Sequence, residues 1–263
     1  MIQKVDFYIK ELENMKKYPQ ELFYIGNKTL LSRKKVSIVG SRRPSLYTRN
    51  FTYELAKKLS SKNICIVSGA AIGVDAICHN AAGEDNTIAV VANGLNIKYP
   101  ATNKKLIEKI ESKGLILSQF EEGIKARNYS FVLRNEIVVA LGDILIVTEA
   151  SRNSGSLTSI NYALKMNKKV YTLSHRINES LGTQDLVYSK KIEVIYDIDS
   201  FVESLSPMLE KNDLKPFEQI DKVLDFCKNN PSYDSAIEKF GEKIFEYELL
   251  GKIRVDNGTI FVK

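Results

Sequence analysis

Two arginines that follow a Gly-Ser pair at the end of an apolar run carry the clearest chemical signal in the 263-residue sequence: Val36-Ser37-Ile38-Val39-Gly40-Ser41-Arg42-Arg43-Pro44. An apolar run, a small-residue turn and then a helical stretch from Tyr47 to Ser61 make a strand-loop-helix unit, whose backbone amides and helix start favour an anion. The added Arg42 and Arg43 point to a polyanion rather than a nucleotide. Two more small-residue clusters precede helical patterns, Ser68-Gly69-Ala70-Ala71-Ile72-Gly73 and Ser154-Gly155-Ser156. Any one of them could be only a tight strand-to-helix turn. Three together suit phosphate oxygens, because such loops gather at one edge of an α/β sheet.

A fourth stretch, Lys125-Ala126-Arg127-Asn128-Tyr129-Ser130-Phe131-Val132-Leu133-Arg134-Asn135, interleaves cations with aromatic rings. Single-stranded nucleic acid needs that mixture, since every base offers a stacking face while cations follow the phosphates. The alternative is that Phe131 packs in the core and the charges line a solvated helix face. Arg134 and Asn135, entering the apolar run Ile137 to Leu141, are harder to read as a solvated face, although they could brace loops.

Enzyme chemistry finds less material. His79 lies in an apolar helical pattern and His175 just past an apolar run, so both read as structural. Ser68 does not sit in a nucleophile elbow, because Ile66 stands where the first Gly should be. The sequence has neither a G-x-x-x-x-G-K-[ST] loop nor a G-x-G-x-x-G after the first strand. Asp75 and Glu149 are lone carboxylates near the expected ligand edge, and Asp75 in a first helical turn has an ordinary role opposing the helix dipole. No catalytic residue, metal or cofactor is assigned.

The elements that must position these residues follow from periodicity. Apolar, mostly β-branched runs recur at Val36–Val39, Ile64–Val67, Thr87–Ala92, Leu115–Ser118, Ile144–Thr148, Val170–Leu173 and Ile192–Tyr196, and they are not alternated with polar residues. Such runs fit strands buried on both faces of a sheet. Helical patterns at 47–61, 71–82, 104–110 and 157–164 separate several of them, which gives a doubly wound, mostly parallel sheet. The polar turn at 207–216 reads as a linker between a large domain, 1–206, and a small one, 217–263. In the small domain, 217–226 and 232–250 read as helical, and Asp256-Asn257-Gly258 between two β-branched runs is a hairpin signal. A winged-helix-like unit results.

Composition agrees with a folded globule, 44% apolar and 27% charged. The net charge of +6 is unevenly placed: residues 217–263 hold seven Lys/Arg against nine Asp/Glu, and the remainder holds 31 against 23. The basic surplus belongs to the large domain, compatible with a nucleic-acid partner there. Cys65, Cys78 and Cys227 form no CxxC pair and read as reduced, buried thiols. With no signal-like N-terminus and no apolar run near the roughly 20 residues that span a bilayer, a cytoplasmic protein without membrane contact is expected.

Taken in order, Ser-Ile-Val-Gly-Ser-Arg-Arg-Pro, Val-Ser-Gly-Ala-Ala-Ile-Gly-Val-Asp-Ala-Ile-Cys-His, Phe-Val-Leu-Arg-Asn-Glu-Ile-Val-Val-Ala-Leu, Val-Thr-Glu-Ala-Ser-Arg-Asn-Ser-Gly-Ser-Leu-Thr and Ser-Leu-Gly-Thr-Gln-Asp-Leu-Val resemble the sequence blocks of the DprA/Smf DNA-processing family, from about Tyr18 to Tyr196. The resemblance implies a Rossmann-like domain that binds and protects single-stranded DNA in natural transformation and helps load the RecA recombinase, without turnover. It implies a homodimer that lines up along the strand, and it leaves duplex DNA open as a partner. The family's Gly-Ser-Arg motif falls on Gly40, Ser41 and Arg42, and its Phe-x-x-Arg-Asn block on Phe131, Arg134 and Asn135. Arg43 lies outside the pattern and faces solvent or a partner. The basic residue before Phe131 is either Lys125 or Arg127.

Two departures stand out. Ala70 and Val74 replace the family's usual leucine and isoleucine, a change of packing more than of chemistry. The N-terminal helical domain of some members is expected to be missing, since only about 35 residues precede the first core strand. The C-terminal unit resembles the family's winged-helix appendage, for which the net charge of −2 predicts a protein-contacting or accessory role rather than phosphate binding. The alternative function is a Rossmann-type enzyme of the lysine-decarboxylase-like group that cleaves nucleoside monophosphates. It is disfavoured because no carboxylate follows the Ser154-Gly155-Ser156 loop as that chemistry requires.

Overall fold

A computed structural model describes residues 1–210 and 221–262. Its described chain divides into two compact units, one comprising Met1–Val5 and Ile9–Pro216, the other Asp6–Tyr8 and Phe217–Lys263.

The larger unit runs β1 (Gln3–Lys4), β2 (Phe23–Gly26), β3 (Lys35–Val39), α1 (Leu46–Ser61), β4 (Cys65–Ser68), α2 (Val74–Ala82), β5 (Thr87–Val90), α3 (Lys104–Lys113), β6 (Leu115–Ser118), α4 (Asn128–Leu141), β7 (Ile144–Val147), α5 (Gly155–Lys165), β8 (Val170–Leu173), α6 (Leu181–Tyr188), β9 (Glu193–Ile195) and α7 (Ile198–Glu210). They form one nine-stranded sheet in the order β1-β2-β6-β5-β4-β3-β7-β8-β9. The seven strands from β3 onward are parallel, and β1 and β2 add to the β6 edge antiparallel.

The unalternated Val/Ile runs are explained by burial on both faces, since every residue of β3 to β8 is buried. Within β3, Val36 and Ile38 pack with Leu55 and Leu59 of α1, Val74 and Cys78 of α2, and Val202 and Leu205 of α7. Ser37 points to the opposite face, where its Oγ donates to the Val138 carbonyl of α4. The pleat of one strand therefore faces a different helix layer on each side. From β3 the chain winds outward through β4, β5 and β6, then returns to pair β7 on the other flank of β3. Strand order reverses between β3 and β7, and ligands of such sheets lie beyond the strand C-termini at that crevice.

The seven expected core strands are all present, each within two residues of its sequence limits. The sequence reading missed β1 and β2, because β1 has only two residues, both polar and exposed. β2 depends on a close approach that no periodicity encodes: Gly26, at φ +99°, lies where a Cβ would be 2.2 Å from the Gly114 carbonyl oxygen. α2 begins at Val74 rather than Ala71, because Ala70 (φ +55°) and Gly73 (φ +82°) turn the backbone first. The expected linker at 207–216 begins inside α7, whose buried Val202 and Leu205 carry the helix on to Glu210; residues 211–216 lie outside the described residues. No helix among the described residues is long and apolar enough to cross a membrane.

The smaller unit holds α8 (Lys222–Cys227), α9 (Tyr233–Phe240) and α10 (Lys243–Leu249), then a hairpin of β10 (Ile253–Asp256) and β11 (Thr259–Val262). Asp221 and Ser232 cap α8 and α9 by accepting from first-turn amides. The hairpin pairs Asp256 with Thr259 across Asn257 (φ +50°) and Gly258 (φ +75°), both in the left-handed region that a two-residue turn of this hand requires. Val223, Cys227, Ala236, Ile244, Ile253 and Ile260 fill its core. Three helices and a hairpin make this unit winged-helix-like, as the helical stretches and the Asn257-Gly258 turn predict. The helix expected at 217–226 begins at Lys222, and residues 217–220 lie outside the described residues.

Candidate nucleic-acid interface

The turn after β3 is built by close approaches that only glycine permits. A Cβ on Gly40 would lie 2.8 Å from Val74 Cγ2 and 3.0 Å from Thr148 Oγ1. One on Gly73 would lie 2.4 Å from the Ser41 carbonyl oxygen, and Val74 N–H donates to that same oxygen at 3.1 Å. The second small-residue cluster thus buttresses the Gly40-Ser41-Arg42 turn from below. The first amide of α2 is consumed in doing so, leaving this helix start poorly suited to a ligand.

The start of α1 is also taken. Glu149, at the end of β7, accepts from Ser45 N–H at 3.0 Å and from Thr48 Oγ1 at 2.6 Å. Burial alone would raise its pKa, but hydrogen bonds from Thr48, Ser45 and Ser41 outweigh it and hold the carboxyl below its ordinary value. A protein carboxylate therefore occupies the anion position at α1. At α5 the arrangement is open: Ser154 is extended and does not cap the helix, and nothing lies within 4 Å of where a Gly155 Cβ would be. In the third cluster Ser154 N–H donates to the Ser151 carbonyl at 3.1 Å, while the Gly155 and Ser156 amides have no hydrogen-bond partner among the described residues.

Arg134 reaches from α4 into the sheet. Its Nη1 donates to the Gly69 carbonyl and, at 2.9 Å, to that of Val90, while Nε donates to Asn135 Oδ1 at 3.0 Å. A Cβ on Gly69 would lie 2.5 Å from the guanidinium carbon and 2.7 Å from Asp75 Oδ2, which explains the glycine. Burial lowers the Arg134 pKa against the pull of Asp75, and burial raises that of Asp75 against the pull of Arg134. This arginine ties β4, β5 and α4 together.

Arg42 is exposed, and its guanidinium lies 5.3 Å from the centroid of the half-buried Phe131 ring, with that of Arg134 at 5.9 Å. Tyr99 approaches the same ring at 6.0 Å between centroids. A cation beside a partly open ring offers phosphate binding and stacking at one place.

Gly40, Ser41, Arg42, Gly69, Phe131, Arg134, Asn135, Ser154, Gly155 and Ser156 all line one cleft of about 890 Å³ at the sheet's switch point. Arg43, Ser68, Lys125 and Arg127 do not. Ser68 is fully buried and its Oγ donates to the Ile38 carbonyl at 2.6 Å, tying β4 to β3. Lys125 and Arg127 are exposed on the loop before α4, where Arg127 N–H donates to Ser130 Oγ at 2.7 Å. Sequence reasoning missed Arg152, Asn178 and Ser180, which line the same cleft. Arg152 makes a two-pronged pair with Asp185 at 2.7 and 3.1 Å, and Ser180 Oγ accepts from Ala150 N–H at 2.9 Å. Asn178 and Ser180 hold positive φ, so their placement rests on loop conformation that leaves no periodic trace.

Comparison with known proteins gives concordant results. The DNA recombination-mediator protein A family matches residues 1–206. Protein Smf of Synechocystis is 34% identical over 205 residues, covering 73% of this chain and 51% of that protein. DNA processing protein DprA of Streptococcus pneumoniae is 35% identical over 179 residues, covering 67% of this chain and 63% of its own. The chain thus spans about half to two thirds of the length of these curated relatives. Among solved structures, DNA processing protein A of Helicobacter pylori, studied for its single-stranded DNA binding mode, superposes with a TM-score of 0.77 at 35% identity over 79% of this chain and 97% of that one.

Proposed function

The chain belongs to the DNA recombination-mediator protein A family, and from that premise we propose that its cleft binds single-stranded DNA, with Arg42 as the phosphate anchor and Phe131 as the stacking face. One observation carries this reading: an exposed guanidinium lies over a half-open aromatic ring at the mouth of a cleft formed by three glycine-containing loops. In this reading the Gly155 and Ser156 amides of α5 receive a further phosphate, and Arg134 holds the loops rather than the strand. Lys125 and Arg127 meet the strand outside the cleft. Protection of the incoming strand in natural transformation, loading of the RecA recombinase, action as a homodimer in the cytoplasm and absence of turnover complete the proposal, supported by the family relationship.

The C-terminal unit contributes little to phosphate binding in this account. Three of its seven cations lie over its own rings: Lys239 is 4.3 Å from the Phe226 centroid, Lys252 4.6 Å from Tyr247 and Arg254 5.3 Å from Phe261. A protein-contacting role fits that surface better than duplex DNA.

Titration of labelled oligo-dT at two salt concentrations tests the cleft. Arg42→Ala is expected to weaken binding and to reduce the slope of log affinity against log salt by about 0.7, the share of one single-strand phosphate contact. Affinity and slope identical to wild type would count against the reading.

A further inference from the structure

The outer face of α1 carries a second run of cations and rings that the cleft does not use. Thr48, Thr52, Leu55, Ala56 and Leu59 turn inward. Leu46, Asn50, Tyr53 and Lys57, spaced by three or four residues, fall on the opposite face, with Arg49 on its flank. Leu46 is 71% exposed and Tyr53 47%. Arg43, just before the helix, is exposed too and continues directly from Arg42.

Charge on this face is unbalanced in a specific way. α1 holds one carboxylate, Glu54, and it is paired with Lys58, which also pairs with Asp199, on another side of the helix. Among the described residues the side chains of Arg43, Arg49 and Lys57 make no ion pair or hydrogen bond, and the Arg43 backbone N–H donates to Ser41 Oγ at 3.1 Å. Free cations alternating with an exposed tyrosine and leucine match the requirements of an unpaired strand, whose phosphates need point charges and whose bases need flat apolar faces. From Leu46 to Lys57 the helix covers about 17 Å, room for several nucleotides beyond the cleft.

We propose that the outer face of α1, led by Arg43 and formed by Arg49, Tyr53 and Lys57, is an exit track for the single strand after it leaves the cleft at Arg42. The inference rests on the cleft reading and extends it: the cleft grips the strand, and α1 adds length-dependent affinity through stacking on Tyr53 and phosphate contacts at the three cations. A solvated helix face would add none.

The test compares oligo-dT of about six nucleotides, near the low end of single-strand site sizes, with one of about twenty. The triple variant Arg49→Ala, Tyr53→Ala, Lys57→Ala changes only exposed positions and introduces a strong helix former. Wild type is expected to bind the long strand more tightly than the short one. In the variant, long-strand affinity should fall at least about fivefold through loss of one stack, and its salt slope by about 0.7 for each of the two cations removed, while short-strand affinity stays the same. Unchanged long-strand binding, or an equal loss at both lengths, overturns the track and leaves the cleft standing. Wild-type protein that binds neither length overturns the cleft reading and the track together.

Discussion

Two arginines flank one phenylalanine ring, and their surroundings give them opposite roles. Arg134 spends its donors on backbone carbonyls inside the sheet, whereas Arg42 stands in solvent with its charge available. Between them, Phe131 is half-buried and leaves part of its ring exposed. Phe131→Leu retains apolar bulk but loses the flat π-face, so oligo-dT binding should weaken by about 1–3 kcal/mol. Equilibrium titration, with thermal unfolding as a control on the fold, measures this. Gly69→Ala acts differently, because its methyl would press on the buried guanidinium at 2.5 Å. Overpacking of this kind costs about 1–3 kcal/mol, expected as a lower unfolding midpoint together with weaker DNA binding, since Arg134 must shift.

At the level of elements, α2 both supports the Gly-Ser-Arg turn and packs on β5 through an unusual histidine. Thr87 Oγ1 donates to the Ile66 carbonyl at 2.9 Å, so the 2.6 Å contact with His79 Nδ1 requires the proton on that nitrogen. Nε2 is buried without a hydrogen-bond partner among the described residues. Burial, then the nearby positive charge of Arg134, push the His79 pKa down to about 3. The unfolded chain therefore takes up a proton that the folded chain refuses between about pH 6.5 and 3. Stability from this group is present above that window and declines as pH falls through it. His79→Leu should flatten that part of the profile in denaturant titrations at successive pH values, and an unchanged slope would refute the assignment.

His79 also illustrates how much could be read from sequence. Its apolar helical setting marked it as structural, just as unalternated Val and Ile runs marked the seven parallel strands, six of them buried throughout, because both signals are local. Burial of Ser68 was not legible, and for Arg134 bracing was only one of two readings, since each depends on carbonyls from another part of the sheet. The same holds for the three anion-like loops. Their small residues were evident, but only the fold reveals that Glu149 fills one helix start and Ser41 uses the amide of another.

For the whole molecule, charge and topology divide the tasks between two units. The basic surplus resides in the large unit with the cleft, and the small unit turns three of its seven cations, Lys239, Lys252 and Arg254, onto its own aromatic rings. Removing residues 211–263 should therefore leave oligo-dT affinity unchanged, provided circular dichroism shows the remainder folded. Loss of binding by that folded remainder would contradict the division.

Strand order has a temporal consequence as well. β7, which brings Glu149 and the Ser154-Gly155-Ser156 turn to the cleft, pairs with β3 only after the chain has completed β4, β5 and β6 on the other flank. Domains emerge N-terminal first from the ribosome. A nascent chain that has displayed Gly40-Ser41-Arg42 but not yet residue 156 holds half a cleft, so under the proposed function the growing polypeptide would have no complete grip on a strand during synthesis.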